Sequence, residues 1–159
     1  MWIYRITLEL QGDDFSPRKF LENITDSLVI FNKIEPEDFI ETNPAIKNGF
    51  GFLSVISPQK YGLQYETDEY EKWYLDFLEK NAALIRAHGI KEINLFVDFY
   101  HTQGQLNAEI FSRETLKKLV EFNIAIPFSY YNLTRDQISK MLEDTEYNKD
   151  KILDYLNTD

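Results

Sequence analysis

The sequence predicts a single α+β domain: a mixed, mainly antiparallel sheet of five or six strands, with helices on one face and a C-terminal helical tail. Three observations carry this. Residues 2–11 and 93–100 alternate apolar and polar side chains with period two, the pattern of strands with one buried face. Residues 68–88 place apolar side chains at i, i+3, i+4 and i+7, the pattern of one long amphipathic helix. The segment Phe-Ser followed by an amphipathic run occurs twice, at Phe15-Ser16 and at Phe111-Ser112. At 159 residues the chain is one domain, an α+β body over 1–133 and a helical tail over 134–159 packed on the same body.

In the first strand Trp2, Tyr4, Ile6, Leu8 and Leu10 form the apolar face. Gly12-Asp13-Asp14 is a turn. Ser16 is an N-cap with Pro17 at N1, where a missing N–H costs nothing, and Phe20, Leu21, Ile24 and Leu28 extend a helix over 16–28. Phe15 and Phe20 have the spacing of a hydrophobic staple, repeated by Phe111 and Leu116. Residues 29–50 are the least readable stretch. Val29–Phe31 is a short strand, Pro36 and Pro44 break any long element, and an apolar run from Gly51 to Ile56 is a further strand.

The long helix opens on Asp68-x-x-Glu71, a capping box in form, and closes before Gly89, the natural C′ residue. Next comes a predicted hairpin over Lys91–Phe111: a strand over 93–100, a Gln103-Gly104 turn, and a return strand through Leu106, Ala108 and Ile110, central in the sheet. Ser112 caps a helix through Leu116, Leu119 and Val120, which ends at Asn123 in the αL conformation. Ile124, Ile126, Phe128 and Tyr130 alternate as a last strand. Pro127 cannot donate to a ladder, so that strand belongs at an edge or at a bulge. Thr134-x-x-Gln137 opens the tail, whose apolar stripe is Ile138, Met141, Leu142, Ile152, Leu153 and Leu156.

Composition narrows the function classes. Cysteine is absent, which excludes a disulfide framework, a thiolate metal site and a Cys nucleophile. No apolar run approaches the roughly 20 residues needed to span a bilayer. No basic and then apolar leader opens the chain, so the expected location is cytoplasmic. A net charge of −10 argues against direct nucleic-acid binding, which needs clustered Lys and Arg, and favours a basic protein partner. The acidic residues available to such a partner are Asp13 and Asp14, then Glu66, Asp68, Glu69 and Glu71, then Glu143, Asp144 and Glu146 in the tail.

Motifs for catalysis or cofactors are not found. The two histidines have no zinc-ligand spacing around them, and no Gly-x-Ser-x-Gly elbow is present. Gly49-Phe50-Gly51 lacks the third glycine of a dinucleotide fingerprint. Asp144-x-Glu146-x-Asn148-x-Asp150 lacks the central glycine and final glutamate of a calcium loop. No metal and no cofactor is therefore expected. Asp98 lies mid-strand between Val97 and Phe99, on the face of Asn94, Phe96 and Tyr100. With Phe96, Tyr100, Tyr130 and Tyr131 it outlines a possible aromatic cleft for a small molecule or peptide. No second carboxylate offers a matching general acid or base.

LELQGDDFSPRKFLENI, the long helix, and LNAEIFSRETLKKLVEFNIAIPFSYY together resemble the bacterial family known as domain of unknown function 4279. The resemblance covers about two thirds of the chain; residues 29–67 match poorly and the acidic tail looks like an addition. It implies the same fold and a small stand-alone protein with no agreed catalytic residues. Such small acidic proteins are similar in character to the immunity proteins that neutralise toxins. The expectation is thus a non-enzymatic inhibitor of immunity type.

Overall fold

The computed structural model of the chain describes residues 2–63, 70–102 and 107–143, and residues 150, 152 and 154. It has the predicted class: a mixed, mostly antiparallel six-stranded sheet and four helices among the described residues. The sheet is built on β1 (Trp2–Gly12). On one side β1 pairs antiparallel with β7 (Glu92–His101) over its whole length, Trp2 opposite His101 and Gln11 opposite Glu92. On the other it pairs with β6 (Gly62–Leu63) at Ile3 and Tyr4, and with β5 (Gly51–Ile56) from Leu8 onward. Outside β5 lies β2 (Val29–Ile34) and outside β7 lies β8 (Phe128–Asn132), so the order is β2-β5-β1-β7-β8. Among the described strands only β7 and β8 run parallel.

The period-two pattern of β1 sends its residues into two cores. Trp2, Tyr4, Ile6, Leu8 and Leu10 pack under α1 (Pro17–Leu21), α2 (Tyr70–Ala87) and α3 (Arg113–Glu121). On the opposite face Ile3 joins Tyr61, Leu63 and Tyr100 beneath Ile138, Leu142 and Ile152, the first two on α4 (Arg135–Met141) or its C-cap. The body helices cover one face, and the tail covers part of the other.

On the edge it shares with β6 and β5, β1 has no strand partner at Ile6 among the described residues. The gap is closed by α2. The Ile6 N–H donates to Tyr70 Oη at 2.9 Å, and the Tyr74 hydroxyl donates to the Ile6 carbonyl. The same two hydroxyls bind the adjacent turn, Tyr70 donating to Lys60 O at 2.8 Å and Tyr74 accepting from Ser57 N at 3.1 Å. Buried backbone groups are nearly always paired, and here tyrosines stand in for a strand.

The expected caps form. Ser16, Ser112 and Thr134 each accept from the backbone N–H three residues on, and Thr134 completes a capping box with Gln137. Gly89 and Asn123 take φ of +68° and +52° behind α2 and α3. The first helix is shorter than the predicted 16–28, ending at Leu21, although Ile24 and Leu28 still pack against the core. A residue from the unreadable stretch holds its start: buried Glu35 accepts from Ser16 Oγ and from Arg18 N, both at 2.8 Å, a carboxylate at a helix N-terminus. That stretch also contains a separate hairpin, β3 (Phe39–Ile40) with β4 (Asn43–Lys47).

One element is corrected. The predicted Lys91–Phe111 hairpin does not form: residues 107–111 are not a strand, while Gln103-Gly104 and the rest of its turn lie outside the described residues. The second neighbour of β7 is β8 instead, reached through α3, because parallel strands need a crossover rather than a tight turn. Pro127 accounts for the start of β8. Leu95 N donates to Ala125 O and Val97 N to Pro127 O, both at 2.9 Å, but Pro127 has no N–H to return, so the regular strand begins at Phe128 on the sheet edge, as its proline required.

Gly51 offers a test of how tightly β5 lies against the β1–α1 turn. A Cβ there would stand 1.8 Å from the Phe15 carbonyl oxygen, which is backbone and cannot rotate away. Gly51→Ala should destabilise the fold by about 1–3 kcal/mol. A lower chemical-denaturation midpoint with an unchanged slope is the expected result; an unchanged midpoint would mean the turn shifts freely.

Candidate partner-binding surface

Four of the nine acidic residues proposed from sequence lie among the described residues. Asp13 and Asp14 are exposed, and Asp13 is ion-paired with Lys91. Glu143 is exposed at the end of the tail helix. Glu66, Asp68, Glu69, Asp144 and Glu146 lie outside the described residues. Glu71 is a correction: it is 3% exposed and accepts a hydrogen bond from the Tyr4 hydroxyl. Helical spacing explains this, since Glu71 shares its face with Tyr74, Leu75 and Leu78, which are all buried in the core.

The proposed aromatic cleft divides between the two faces of the sheet. Asp98 is buried and bound to Arg5, Nη2 to Oδ2 at 2.7 Å. The Arg5 guanidinium lies 4.8 Å from the Phe31 ring centroid and 5.9 Å from that of Tyr100. Burial opposes the Arg5 charge, but Tyr100 and Asp98 outweigh it and its pKa is raised. Tyr131 stacks on Tyr100 with centroids 5.3 Å apart, on this same face, where Phe96 is half-buried. Tyr130 belongs to the other face: it is paired with Phe99 in the β7–β8 register and stacks on its ring at 5.3 Å. Strand parity decides this, because adjacent residues Tyr130 and Tyr131 must point to opposite sides. The Asp98 group is thus a packed ion pair roofed by aromatic rings.

The helix face carries a more open feature. An apolar groove of about 540 Å³ is floored by Val97 and Phe99 and walled by Phe111, Leu116, Phe128 and Tyr130. Along and beside it several large apolar side chains stay in water: Leu116 is 40% exposed, Val120 76%, Phe128 60% and Tyr130 55%. Leu116 and Val120 are one helical turn apart on α3, so they form one stripe; from sequence that stripe reads as core, yet only Leu119 of α3 is buried. The groove ends at β8, the last strand of the sheet among the described residues. Pro127 O and Leu133 N face β7, so by alternation the backbone groups of Phe128, Tyr130 and Asn132 point outward.

A second cavity, about 350 Å³, lies on the other side of the same wall. Residues 109–111 line both. It is bounded further by Glu71, Lys72 and Leu75 of α2 and by Ser112 and Thr115 at the start of α3.

Among the described residues no cluster of three or more His, Asp or Glu side chains could hold a metal ion, and no helix is long and apolar enough to cross a membrane. Compared with known proteins, the chain matches no protein-family model, no curated protein and no solved structure.

Proposed function

We propose that this chain is a non-enzymatic, cytoplasmic protein-binding inhibitor of immunity type, which takes a basic protein partner on the α3–β8 surface. The observation that carries this reading is the groove itself. Four large apolar side chains are left in water beside an outward-facing strand edge. Contiguous exposed apolar surface marks interaction sites, and an open edge accepts an extended partner segment by adding a strand. The charge of −10 supports a basic partner, drawn in by long-range attraction that raises the association rate more than the affinity. A toxin with a basic active site fits that description, as does the resemblance to small acidic bacterial proteins. The peptide-binding alternative converges on the same place, because Tyr130 lies in the groove.

The test is selection of peptides from a random display library on the full-length protein. The expected ligands are extended and apolar with Lys or Arg. Leu116→Glu and Tyr130→Glu should each weaken them roughly ten- to hundredfold, at melting temperatures close to that of the unaltered protein. Asp13→Asn should leave binding within about twofold, as expected of an exposed charge away from the groove. Ligands indifferent to both groove substitutions would sink the proposal.

A further inference from the structure

We infer that, until its partner arrives, this chain pairs with a second copy of itself along β8, the two strands antiparallel about a two-fold axis at Tyr130. The inference rests on the α3–β8 surface being an interaction site, and it names what covers that surface in the free protein. The first observation is a contrast between the two outer strands of the sheet. β2 is blunted in the way soluble proteins protect an edge. A bulge between Ile30 and Asn32 breaks its register, and Lys33 stands exposed on it. β8 has neither device. Its register against β7 runs unbroken from Phe128 to Asn132, and its sequence, Phe-Ser-Tyr-Tyr-Asn, holds no charge. Pro127 does not protect it either. The Pro127 carbonyl faces β7, so the N–H that proline lacks is missing on that inner side. The backbone groups of Phe128, Tyr130 and Asn132 therefore form a regular row along the outer edge.

Charge indicates which strand comes to meet them. Residues 113–132, which hold α3 and β8, carry three cations, Arg113, Lys117 and Lys118, and two carboxylates, Glu114 and Glu121. The acidic excess of the chain, −10 in all, lies elsewhere. Two copies meeting here bring together surfaces of mixed sign and little net charge, while their acidic parts stay apart. Repulsion between those parts is screened beyond roughly 8–10 Å at physiological salt. The field that steers a basic partner from a distance thus does not forbid a second copy at contact.

The strand fixes the register. In an antiparallel pair the residues facing the partner strand exchange both backbone hydrogen bonds. Centring the pair on Tyr130 uses all five residues: Tyr130 lies opposite the second copy's Tyr130, and Phe128 opposite the second copy's Asn132. The contact is isologous, the same patch on both copies, so it closes as a dimer. Opposed residues share a face, which puts both Tyr130 rings and both Phe128 rings on the helix side, flanked by Leu116 and Val120 of each α3. Those are the four large apolar side chains that one chain alone leaves in water.

The chain has no cysteine, so single cysteines report the pairing directly. Hydrogen-bonded antiparallel partners have Cα atoms about 5.5 Å apart, within disulfide reach. Tyr130→Cys should cross-link to itself on mild oxidation of the full-length protein. Phe128→Cys and Asn132→Cys should cross-link to each other when mixed, and more slowly alone. Sedimentation velocity on the unaltered protein should show a monomer–dimer equilibrium with a dissociation constant of roughly 10–100 μM, as expected of an interface below standard size. Raising sodium chloride from about 0.05 M to about 0.5 M should tighten the dimer about three- to tenfold, because screening removes repulsion between like net charges; binding of a basic partner should weaken over the same range. Tyr130→Lys, which sets two ammonium groups opposite each other, should leave the protein monomeric with an unchanged circular dichroism spectrum. If that variant fails to fold, the cysteine variants decide. A monomer at every concentration up to about 500 μM, well above the expected constant, would overturn the inference. So would a dimer that cross-links neither through Tyr130→Cys nor through the mixed pair. Library peptides that require Leu116 and Tyr130 should dissociate the dimer. If such peptides bind a protein that never dimerises, the self-pairing falls and the docking surface stands. If the dimer forms as described and the peptides ignore the groove, the reverse holds.

Discussion

A chain ending at Leu133 should lose its cooperative thermal transition and bind an apolar dye before heating. The tail supplies Ile138, Leu142 and Ile152, each at most 1% exposed, to the core that covers Ile3, Tyr61, Leu63 and Tyr100. Burying three such side chains is worth roughly 4.5–9 kcal/mol at about 1.5–3 kcal/mol each. This is an upper bound, because an unfolded chain already hides some apolar area. A domain has only about 5–15 kcal/mol in total, so the loss takes most of it. Truncation also uncovers Tyr61 and Tyr100 on the face it leaves. The milder form is Leu142→Ala, expected to cost about 2–5 kcal/mol and to lower the melting temperature by roughly 4–20 °C. If the truncated protein melts unchanged but loses a dimer or a bound partner, the tail is an interface and its burial against the sheet is not what holds the fold.

Raising the pH through 10 should unfold the protein, with tyrosine ionisation delayed and then released in one step. Burial pushes Tyr70 well above the ordinary value and Tyr74 up to about 12. Burial also raises Tyr61 and Tyr100, against the pull of Arg5. In each case the folded state keeps a proton that the unfolded state has given up. Stability from these groups is therefore fully present below about pH 10, the unfolded tyrosine value, and is lost as pH rises toward the folded values. Tyr74 alone contributes about 3 kcal/mol over its shift, and three groups titrating together would remove roughly 4 kcal/mol per pH unit. The reason is structural: a Tyr70 or Tyr74 phenolate would sit in the core, and Tyr74 could no longer donate to the Ile6 carbonyl. Phenolate absorbance and circular dichroism, followed together, should show the phenolates of Tyr70, Tyr74, Tyr61 and Tyr100 appearing only with loss of secondary structure. Smooth titration of all ten tyrosines near pH 10, with the fold intact, would contradict it.

The features legible in the sequence are those set by near neighbours. Ser16, Ser112 and Thr134 act on N–H groups three residues away, Gly89 and Asn123 on their own backbone, and the alternation of β1 on its own two faces. Non-local features were not legible. Leu106, Ala108 and Ile110 have the alternation of a strand, but a three-residue pattern does not say whether a partner comes to meet it, and β7 is met by β8 instead. Glu35 caps α1 from the far end of β2, and nothing within its own stretch signals that. Glu71 had a signal: it falls on the stripe of Tyr74 and Leu78, and its charge is what reads as surface. Tyr130 and Tyr131 could have been assigned to opposite faces by parity alone, although which of them meets Phe99 depends on register.

The place of β1 in the sheet bears on the order in which the chain is made. Among the described residues its nearest strand partner in sequence is Gly51, opposite Gly12, and its partner at Trp2 is His101. A nascent chain therefore carries an apolar strand whose one edge stays open until β5 and β6 have left the ribosome and whose other edge stays open until β7 has. Local pieces such as α1 can form early, but the sheet cannot nucleate from its own beginning. Such long-range pairing slows folding and leaves unpaired edges available to other chains. For this protein the hazardous interval is during synthesis, and whatever shelters the strand from Trp2 to Gly12 in that interval sets the yield of folded molecules.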